Sequence, residues 1–378
     1  MTELTGLTKM KKNRARTLAM AAVFLLALLA GCTESDDGDY RGEALLGADA
    51  LATLTGVSAI DEGQGFHGVD YKADYALDEL MVRGVENQEA LDAFLSDRLL
   101  NGLPFHSDTL RLACSTFAAA KPDGDYIQGR NMDLAGAQSF IVRTRPENGY
   151  ESLSMVTGLP LGYIGRLPDS PVGRLLLLTA PYFPTDGINE RGLSVALLLL
   201  QDAPVSQRTG KVPVTTLLAI RLMLDRAATV DEAEALLATY DMHSIYNASY
   251  HFHVADAEGG SAVIECVDGG MRVVRSEGYG QVAANFYLSP EKIDLLDDGK
   301  DRLATLQAAL DEGGGVVSQE KAWRMLDSVK AVHDYDPLTD IDFNTAYSIV
   351  YNNTKRTMDV CVGMNFDVVH RFKVGENF

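Results

Sequence analysis

Apolar residues follow two spacings along the chain, and each spacing predicts a different kind of element. Between residues 41 and 112 they recur mostly at intervals of three and four, which is typical of helices, and Gly84 and Gly102 follow two such stretches as helix stops. From residue 112 onward the apolar runs are shorter or alternate with polar residues, which is typical of strands. The pattern predicts a helical first part and a strand-rich second part.

The strand-rich part also contains helix patterns, which fall in pairs between groups of strands. Thr229 with Glu232 has the pattern of a capping box, and Ser318 is a candidate N-cap. Residues 140–172 contain four prolines and are predicted to be surface or pocket-rim loops. This order favours an α+β fold with antiparallel sheets and helices outside them, rather than a doubly wound parallel sheet. Strands are predicted over residues 174–179, 193–199, 250–255, 262–267, 271–275, 346–351, 358–362 and 368–374, and helices over 215–227, 230–240, 301–310 and 319–332.

The segment 1–31 has the order of an export signal. The apolar run 18–30 follows a basic segment and is too short for a bilayer span, which needs about 20 residues. The small residues before Cys32 resemble a bacterial lipobox, which predicts lipidation of Cys32 and a lipid-anchored, extracytoplasmic protein at the cell membrane. The alternative is a plain secretory signal with an incidental cysteine. Residues 32–45 are acidic and polar and are predicted to form a tether.

Composition changes this picture mainly by exclusion. The 378 residues include 53 Asp and Glu against 33 Lys and Arg, a formal net charge of -20. Such a surface repels phosphate backbones, so we expect no nucleic-acid partner. The four cysteines are too scattered for a disulfide scaffold. Cys266 and Cys361 fall in apolar strands and are interpreted as buried thiols, although a disulfide between them stays open.

The candidate chemistry lies in a predicted hairpin that begins at Cys114. The turn Lys121-Pro-Asp-Gly-Asp125 joins two short strands, and the return strand brings Arg130, Asn131 and Asp133 opposite Cys114. A cationic neighbour lowers the pKa of a thiol, and a carboxylate can hold an ammonium group. These residues allow a compact nucleophilic centre. The residues alone leave the alternative open that this is a buried free cysteine beside a strand-end ion pair.

A family resemblance begins at the same hairpin. Cys114-Ser-Thr-Phe with Gly129-Arg-Asn-Met-Asp133 resembles the start of the mature chain in the choloylglycine hydrolase family, the linear amide C–N hydrolases. In that family an arginine and an aspartate follow the N-terminal cysteine at the same spacings that separate Arg130 and Asp133 from Cys114 here. The family includes bile salt hydrolases, penicillin V acylases and, more distantly, acid ceramidase. The resemblance continues through residues 186–193, 229–233 and 252–265 to Asn285 and Arg302.

The resemblance implies a fold and a maturation step. Family members are N-terminal nucleophile hydrolases, four-layer αββα sandwiches with antiparallel sheets, and the resemblance implies no cofactor and no metal. Their nucleophile is the first residue of the mature chain, because its α-amine accepts the thiol proton near neutral pH. Cys114 is internal, so autocatalytic cleavage of the Ala113–Cys114 bond is expected, in an acid-ceramidase-like arrangement. The resulting division is a signal peptide 1–31, a tether 32–45, a helical leader 46–113 and an amidase domain 114–378.

The resemblance also implies a role for each site residue. Cys114 would attack the carbonyl of a small-molecule N-acyl amide, and its α-amine would pass the proton to the leaving nitrogen. Asn285 would stabilise the oxyanion together with a backbone N–H. Asp133 would hold the α-ammonium, while Arg130 and Arg302 would fix the thiolate and its neighbours.

One position departs from the family pattern. Leu199 stands where bile salt hydrolases carry an asparagine and penicillin V acylases a tyrosine, so only its backbone N–H can help Asn285. The acyl chain and the leaving amine therefore stay open. So do two other functions, a non-catalytic lipid-anchored binding protein and an acyltransferase that uses the same thioester. A homo-oligomer is also open.

The remaining chemistry-bearing residues favour structural roles. His251 and His253 share one face of a predicted strand, but the sequence offers no third metal ligand at a useful spacing, so packing or surface roles are preferred. Trp323 lies on an apolar helix face and is predicted to join the core. Asn189 precedes Gly192 and serves either the site or a turn.

Overall fold

Two sheets carry most of the fold, and each combines strands that are far apart in the sequence. The computed structural model describes residues 46–108, 112–134, 138–267, 269–276, 280–336 and 341–378. Within these ranges the strands are β1 Ser58–Asp61, β2 Phe66–Asp70, β3 Ala113–Ala120, β4 Tyr126–Leu134, β5 Ser139–Thr144, β6 Ser152–Thr157, β7 Pro184–Asn189, β8 Ser194–Leu200, β9 Val212–Thr215, β10 Tyr240–His243, β11 Ser249–Ala255, β12 Ser261–Val267, β13 Gly270–Arg275, β14 Gly280–Ala283, β15 Asp334–Asp336, β16 Ile341–Asn352, β17 Thr357–Val362 and β18 His370–Lys373.

The strand order separates the two sheets clearly. The first sheet has nine described strands in the order β1-β2-β5-β6-β7-β8-β11-β12-β13. The second has seven, in the order β14-β3-β4-β16-β17-β18 with β15 paired to β16. Neighbouring strands are antiparallel in both sheets except β2 and β5, which run parallel. The short strands β9 and β10 form a separate parallel pair.

Helices cover the outer faces of both sheets. The described helices are α1 Ala48–Thr55, α2 Leu77–Arg83, α3 Gln88–Leu99, α4 Thr216–Arg226, α5 Val230–Leu237, α6 Lys300–Glu312 and α7 Gln319–Ser328, with 3₁₀ segments at Glu62–Gln64 and Val172–Tyr182. Helices α4 and α5 pack on the first sheet, α6 and α7 pack on the second, and β3 of the second sheet contacts β8 of the first. The layer order is therefore helix, sheet, sheet, helix, and the predicted α+β class with four αββα layers is confirmed.

The predicted hairpin at Cys114 is formed by β3 and β4. Cys114 lies opposite Met132, and Thr116 lies opposite Arg130. The turn closes where the Lys121 N–H donates to the Asp125 carbonyl oxygen at 2.7 Å. The hairpin is confirmed, but Asn131 pairs with Ser115 and not with Cys114. Its side chain donates to the Leu326 carbonyl oxygen at 2.8 Å and accepts from the Ser348 hydroxyl at 2.7 Å, so it does not join Cys114.

Both predicted helix caps are also present. The Glu232 N–H donates to the Thr229 side chain at 3.2 Å, and the Lys321 N–H donates to Ser318 at 3.1 Å. Glu232 in turn accepts a hydrogen bond from the Ala228 N–H at 2.7 Å, which completes a capping box one residue earlier than the usual pattern. The α5 helix is shorter than predicted, because residues 240–243 extend as β10.

Two predictions in the middle of the chain are wrong. Residues 174–179 belong to the 3₁₀ segment Val172–Tyr182 and not to a strand, because a short apolar run rich in leucine after Pro171 fits a helical turn equally well. Residues 140–172 are not all loop, since they contain most of β5 and all of β6. Both strands are buried along their whole length, so exposure does not alternate along them. Polar and apolar residues do alternate over Ser152–Met155 of β6, but the prolines outside the two strands dominated the prediction.

The leader is not purely helical, which is a third correction. It contains α1 to α3, but residues 58–70 form β1 and β2, and β2 pairs with β5 from Phe66 opposite Ser139 to Asp70 opposite Arg143. A short strand without alternation is recognisable only through its partner, and here that partner lies on the far side of the Cys114 hairpin in the sequence. The leader is therefore part of the first sheet.

Buried tyrosines also tie the leader to the rest of the chain. The Tyr75 hydroxyl donates to Asp225 Oδ2 at 2.6 Å, and Asp225 forms a buried ion pair with Arg221 at 2.6 Å. The Tyr71 hydroxyl donates to the Leu178 carbonyl oxygen at 2.7 Å. Leader and domain thus share one core.

The predicted signal peptide, Cys32 and the tether lie outside the described residues. In the part of the chain that the structure does describe, no helix has the length and apolar character needed to cross a membrane.

The contact between Tyr75 and Asp225 gives a test of how tightly the leader is held. Tyr75→Phe removes one donor from a buried carboxylate and should lower the free energy of unfolding by about 2 kcal/mol. Urea denaturation measures it, in chains carrying Cys114→Ala so that the expected cleavage does not interfere. Tyr150→Phe, which removes the hydroxyl of a partly exposed ring, is the control and should change the value by less than about 0.5 kcal/mol. Equal effects of the two changes would contradict a buried leader contact.

Candidate active site

Cys114 lies at the start of β3, inside the core between the two sheets. Its side chain is fully buried, and the nearby Leu112 is also buried. The sulfur atom is 3.5 Å from Arg130 Nη2 and 3.9 Å from Met132 Sδ. Burial raises the pKa of the Cys114 thiol to about 12, although Arg130 and Arg302 act in the opposite direction. In this uncleaved chain the sulfur is therefore a neutral thiol near neutral pH.

Arg130 is held in one orientation by three groups. Its Nε is 2.9 Å from Asp186 Oδ2, Nη1 donates to the Leu197 carbonyl oxygen at 2.8 Å, and Nη2 faces the sulfur of Cys114. The whole guanidinium is buried. Its position against the thiol is therefore fixed by β7 and β8 of the opposite sheet.

Asp186 is a site residue that the sequence analysis did not single out. Its carboxylate accepts hydrogen bonds from the hydroxyls of Tyr347 at 2.8 Å and Tyr351 at 2.5 Å, besides the ion pair with Arg130. All four side chains are fully buried. Asp186 is the first residue of the 186–193 motif. A buried arginine requires a counter-ion, and this requirement is the signal that could have identified Asp186 from the sequence.

Asp133 and Arg302 form a second ion pair beside Cys114. Arg302 Nη1 is 3.1 Å from Asp133 Oδ2, and the Thr345 hydroxyl donates to Asp133 Oδ1 at 2.5 Å. Asp133 is fully buried, and burial raises the pKa of its carboxyl to about 6 against the lowering effect of Arg302. Arg302 also contacts Asp298 at 3.1 Å, which places it at the rim of the cluster.

Asn285 connects the Asp133–Arg302 ion pair to the backbone of Cys114. Its Oδ1 accepts hydrogen bonds from the Cys114 N–H at 2.7 Å and from Arg302 Nη2 at 3.0 Å. Its Nδ2 donates to the Leu199 carbonyl oxygen at 2.8 Å. Because an amide nitrogen carries two hydrogens, one further donor of Asn285 is available for a ligand.

The five predicted site residues thus meet in one connected cluster. The contacts run from Arg130 to Cys114, from Cys114 to Asn285, and from Asn285 through Arg302 to Asp133. They come from β3, β4, the segment after β14, and α6. The geometry brings the residues together, while their roles in a reaction stay predictions. Residues that the sequence reasoning missed are Asp186, Tyr347, Tyr351, Met132 and Thr345.

The remaining candidates have structural surroundings. His251 and His253 are both buried, and within the described residues no group of three His, Cys, Asp or Glu side chains is arranged to hold a metal. Cys266 and Cys361 are buried free thiols on strands of different sheets. Asn189 accepts hydrogen bonds from the backbone of its own turn, which supports the turn role.

Comparison with known proteins starts at the same cysteine. The family model for linear amide C–N hydrolases, the choloylglycine hydrolase family, matches residues 114–286. This segment belongs to the choloylglycine hydrolase family. A penicillin V acylase from Pectobacterium atrosepticum is 34% identical over 144 residues, which cover 35% of this chain and 35% of the acylase. The family match therefore contains Cys114, Arg130, Asp133 and Asn285, and it leaves out Arg302.

Solved structures support the fold of the family over a longer stretch. Two variants of the conjugated bile acid hydrolase from Clostridium perfringens superpose with TM-scores of 0.51 and 0.50 at 17% identity. Each covers 70% of this chain, and the match covers 93% and 94% of the two hydrolase chains. The shared fold is the two-sheet sandwich that positions Cys114.

The ion pair of Arg130 gives a stability prediction. Asp186→Asn leaves a fully buried guanidinium without a counter-ion and should lower the free energy of unfolding by about 3–5 kcal/mol. Asp169→Asn, at an exposed ion pair with Arg166, is the matched control and should cost less than about 1 kcal/mol. Urea denaturation of the two variants measures both values. Similar losses in the two variants would show that Asp186 does not compensate a buried charge.

Asp133 makes stability depend on pH in a defined direction. Because its pKa is raised from 3.8 to about 6 by burial, the folded chain binds this proton more tightly than the unfolded chain. The group stabilises the fold fully below about pH 4 and loses that contribution as the pH rises through about 6. Relative to Asp133→Asn, which does not titrate, the free energy of unfolding should therefore fall by about 3 kcal/mol over this range.

Urea denaturation at several pH values tests this prediction in chains that carry Cys114→Ala. Asp169, which is exposed, provides the control when it is replaced by asparagine in the same background. A difference between the Asp133 chain and its asparagine variant that does not change with pH would contradict the raised pKa.

Proposed function

We propose that the chain is a cysteine hydrolase of linear amide C–N bonds that acts on small-molecule N-acyl substrates. The observation that carries the proposal is the position of Cys114, whose sulfur faces Arg130 Nη2 and whose backbone nitrogen lies 2.7 Å from Asn285 Oδ1. The family match supports it, because the matched segment begins at this residue. The chain spans only 35% of the length of the penicillin V acylase it matches, so the substrate is part of the proposal.

The chemistry requires a free amine at Cys114. Since burial keeps the thiol neutral, a base has to take its proton, and an amide nitrogen is not basic. An α-amine titrates near 7.7–8.0 and is suited to this task. Cleavage of the Ala113–Cys114 bond would generate that amine at the place where Asn285 Oδ1 now accepts the amide hydrogen.

The cleavage itself follows from the same two atoms. The sulfur attacks the Ala113 carbonyl carbon, the thiol proton passes to the nitrogen of Cys114 as the C–N bond breaks, and the acyl group moves from the nitrogen to the sulfur as a thioester. Water then hydrolyses the thioester, which leaves the Ala113 carboxylate, a free thiol and a free α-amine on Cys114. One water molecule is consumed, and no other reactant is needed.

Turnover would repeat these steps on a substrate. The thiol attacks the amide carbonyl, the α-amine carries the proton to the leaving nitrogen, and water resolves the acyl thioester. Asn285 has one amide hydrogen free for the oxyanion, and losing one such donor typically costs about 10²–10³ in rate. Asp133 would hold the α-ammonium, and Arg130 would stabilise the thiolate.

The leader would stay bound after cleavage. Strand β2 is paired inside the first sheet, and Tyr75 and Tyr71 donate to buried acceptors of the other part. Cutting one peptide bond removes none of these contacts. The mature protein would then be a complex of two chains, and the new end at Ala113 would have to move before a substrate reaches the buried sulfur.

The membrane anchor belongs to the same proposal. The lipobox-like sequence before Cys32 would attach the enzyme to the outer side of the cell membrane, while the acidic tether 32–45 would keep the sandwich in water. Lipidation at this site is detectable as a mass increase on the fragment that begins at Cys32.

Intact-mass and N-terminal analysis of the exported protein tests the proposal. We expect two associated chains, a leader that ends at Ala113 and a catalytic chain that runs from Cys114 to Phe378. Cys114→Ala should give one uncut chain with no amidase activity on a panel of N-acyl amides. Cys361→Ala replaces another buried thiol and should be cut and active as the wild type is.

Two outcomes would refute parts of this picture. Full amidase activity of an uncut wild-type chain would exclude the α-amine as base. Amidase activity that persists in Cys114→Ala would exclude this thiol as the nucleophile.

A further inference from the structure

Two buried residues next to the site, His251 and Glu265, have no part in the proposed chemistry. They lie opposite each other on β11 and β12, and both side chains are fully buried. His251 Nδ1 is 3.3 Å from Glu265 Oε1, and its Nε2 is 2.8 Å from the carbonyl oxygen of Ala284. Since Ala284 precedes Asn285, the pair reaches the candidate active site through the backbone.

The contacts of His251 set the direction of its ring. A carbonyl oxygen only accepts hydrogen bonds, so Nε2 must carry a hydrogen to contact Ala284. Glu265 is a carboxylate: burial raises its pKa, but hydrogen bonds from His251 and from the Ser289 and Leu288 N–H groups lower it overall. The ring is therefore held between the Glu265 carboxylate on β12 and the carbonyl oxygen of Ala284.

The same pair clamps the segment that carries Asn285. Glu265 Oε1 accepts the Leu288 N–H at 2.6 Å, and Oε2 accepts the Ser289 N–H at 3.1 Å. With the contact from His251 to Ala284, residues 284–289 are held at both ends. Strand β14 ends at Ala283, so no sheet hydrogen bonds fix the direction of Asn285.

We propose that His251 and Glu265 are positioning residues for Asn285. Together they hold residues 284–289 so that Oδ1 of Asn285 meets the Cys114 nitrogen and Arg302. The inference rests on the proposed function, because it gives Asn285 a part in amide hydrolysis. Neither residue touches a reacting atom, so their loss should affect turnover and not substrate binding.

The kinetic test compares two replacements of His251. His251→Leu removes both contacts and should lower kcat by about 10²-fold, since a displacement of about 1 Å in a site has that effect, with KM changed by less than about threefold. His251→Gln retains an amide donor that reaches toward Ala284 and should recover at least about tenfold of the loss. A His251→Leu enzyme that is folded and keeps the kcat of the wild type would overturn the proposal.

His253 provides a matched control on the same strand. It is fully buried too, but its ring contacts Thr116 Oγ1 at 2.7 Å and Ser261 Oγ at 3.0 Å instead of the 284–289 segment. His253→Gln should reduce stability while it leaves kcat within about threefold of the wild type. A kcat loss as large as that of His251→Leu would mean that any buried histidine of this strand has the effect, and would contradict a specific role.

A spectroscopic test does not depend on activity. In the uncut Cys114→Ala chain with ¹⁵N-labelled asparagine, the side-chain amide signals of Asn285 should shift in both His251→Leu and Glu265→Gln, because both changes release residues 284–289. His253→Gln should leave these signals in place. Unchanged Asn285 signals in His251→Leu and Glu265→Gln would overturn the positioning role.

The two tests separate the inference from the proposed function. If the wild type hydrolyses no amide, the proposed function is wrong and the positioning role falls with it, whatever the spectrum shows. If the wild type is active and His251→Leu matches it, only the inference is wrong. Activity in the wild type, a reduced kcat in His251→Leu and shifted Asn285 amide signals together support both.

Discussion

The structure depends on a charge that is buried between two sheets. The guanidinium of Arg130 has no access to solvent, and a buried charge is tolerated only when a counter-ion and hydrogen bonds compensate it. Asp186 supplies the counter-ion from β7, and Tyr347 and Tyr351 hold that carboxylate from β16. This network joins strands of both sheets. It therefore fixes the direction of Arg130 Nη2. As a result, the positive charge of Arg130 faces the sulfur of Cys114.

Asn285 is the second point where distant parts of the chain meet. It contacts the backbone of β3, the side chain of Arg302 on α6 and the carbonyl of Leu199 on β8. Its own segment has little regular structure, so its orientation comes from its neighbours. The orientation of Asn285 is therefore sensitive to changes in the residues that hold its segment. The contact between His251 on β11 and the carbonyl oxygen of Ala284 is one of these.

Local patterns were sufficient for part of this description. The hairpin of Cys114 and the caps at Thr229 and Ser318 depend on neighbouring residues, and the sequence predicted them correctly. The strand β2 depends on a partner far along the chain, and β2, β5 and β6 are buried almost throughout, so exposure does not alternate along them. Asp186 was missed for a related reason, since its importance comes from Arg130, which lies on a strand of the other sheet.

The burial of the Cys114 sulfur bears on the order of the proposed reactions. A thiol with a pKa of about 12 inside the core reacts slowly with external electrophiles. The peptide carbonyl of Ala113 is covalently next to Cys114 and needs no access from solvent. The proposed self-cleavage would therefore need no path from solvent to the sulfur, whereas hydrolysis of an external amide would need one.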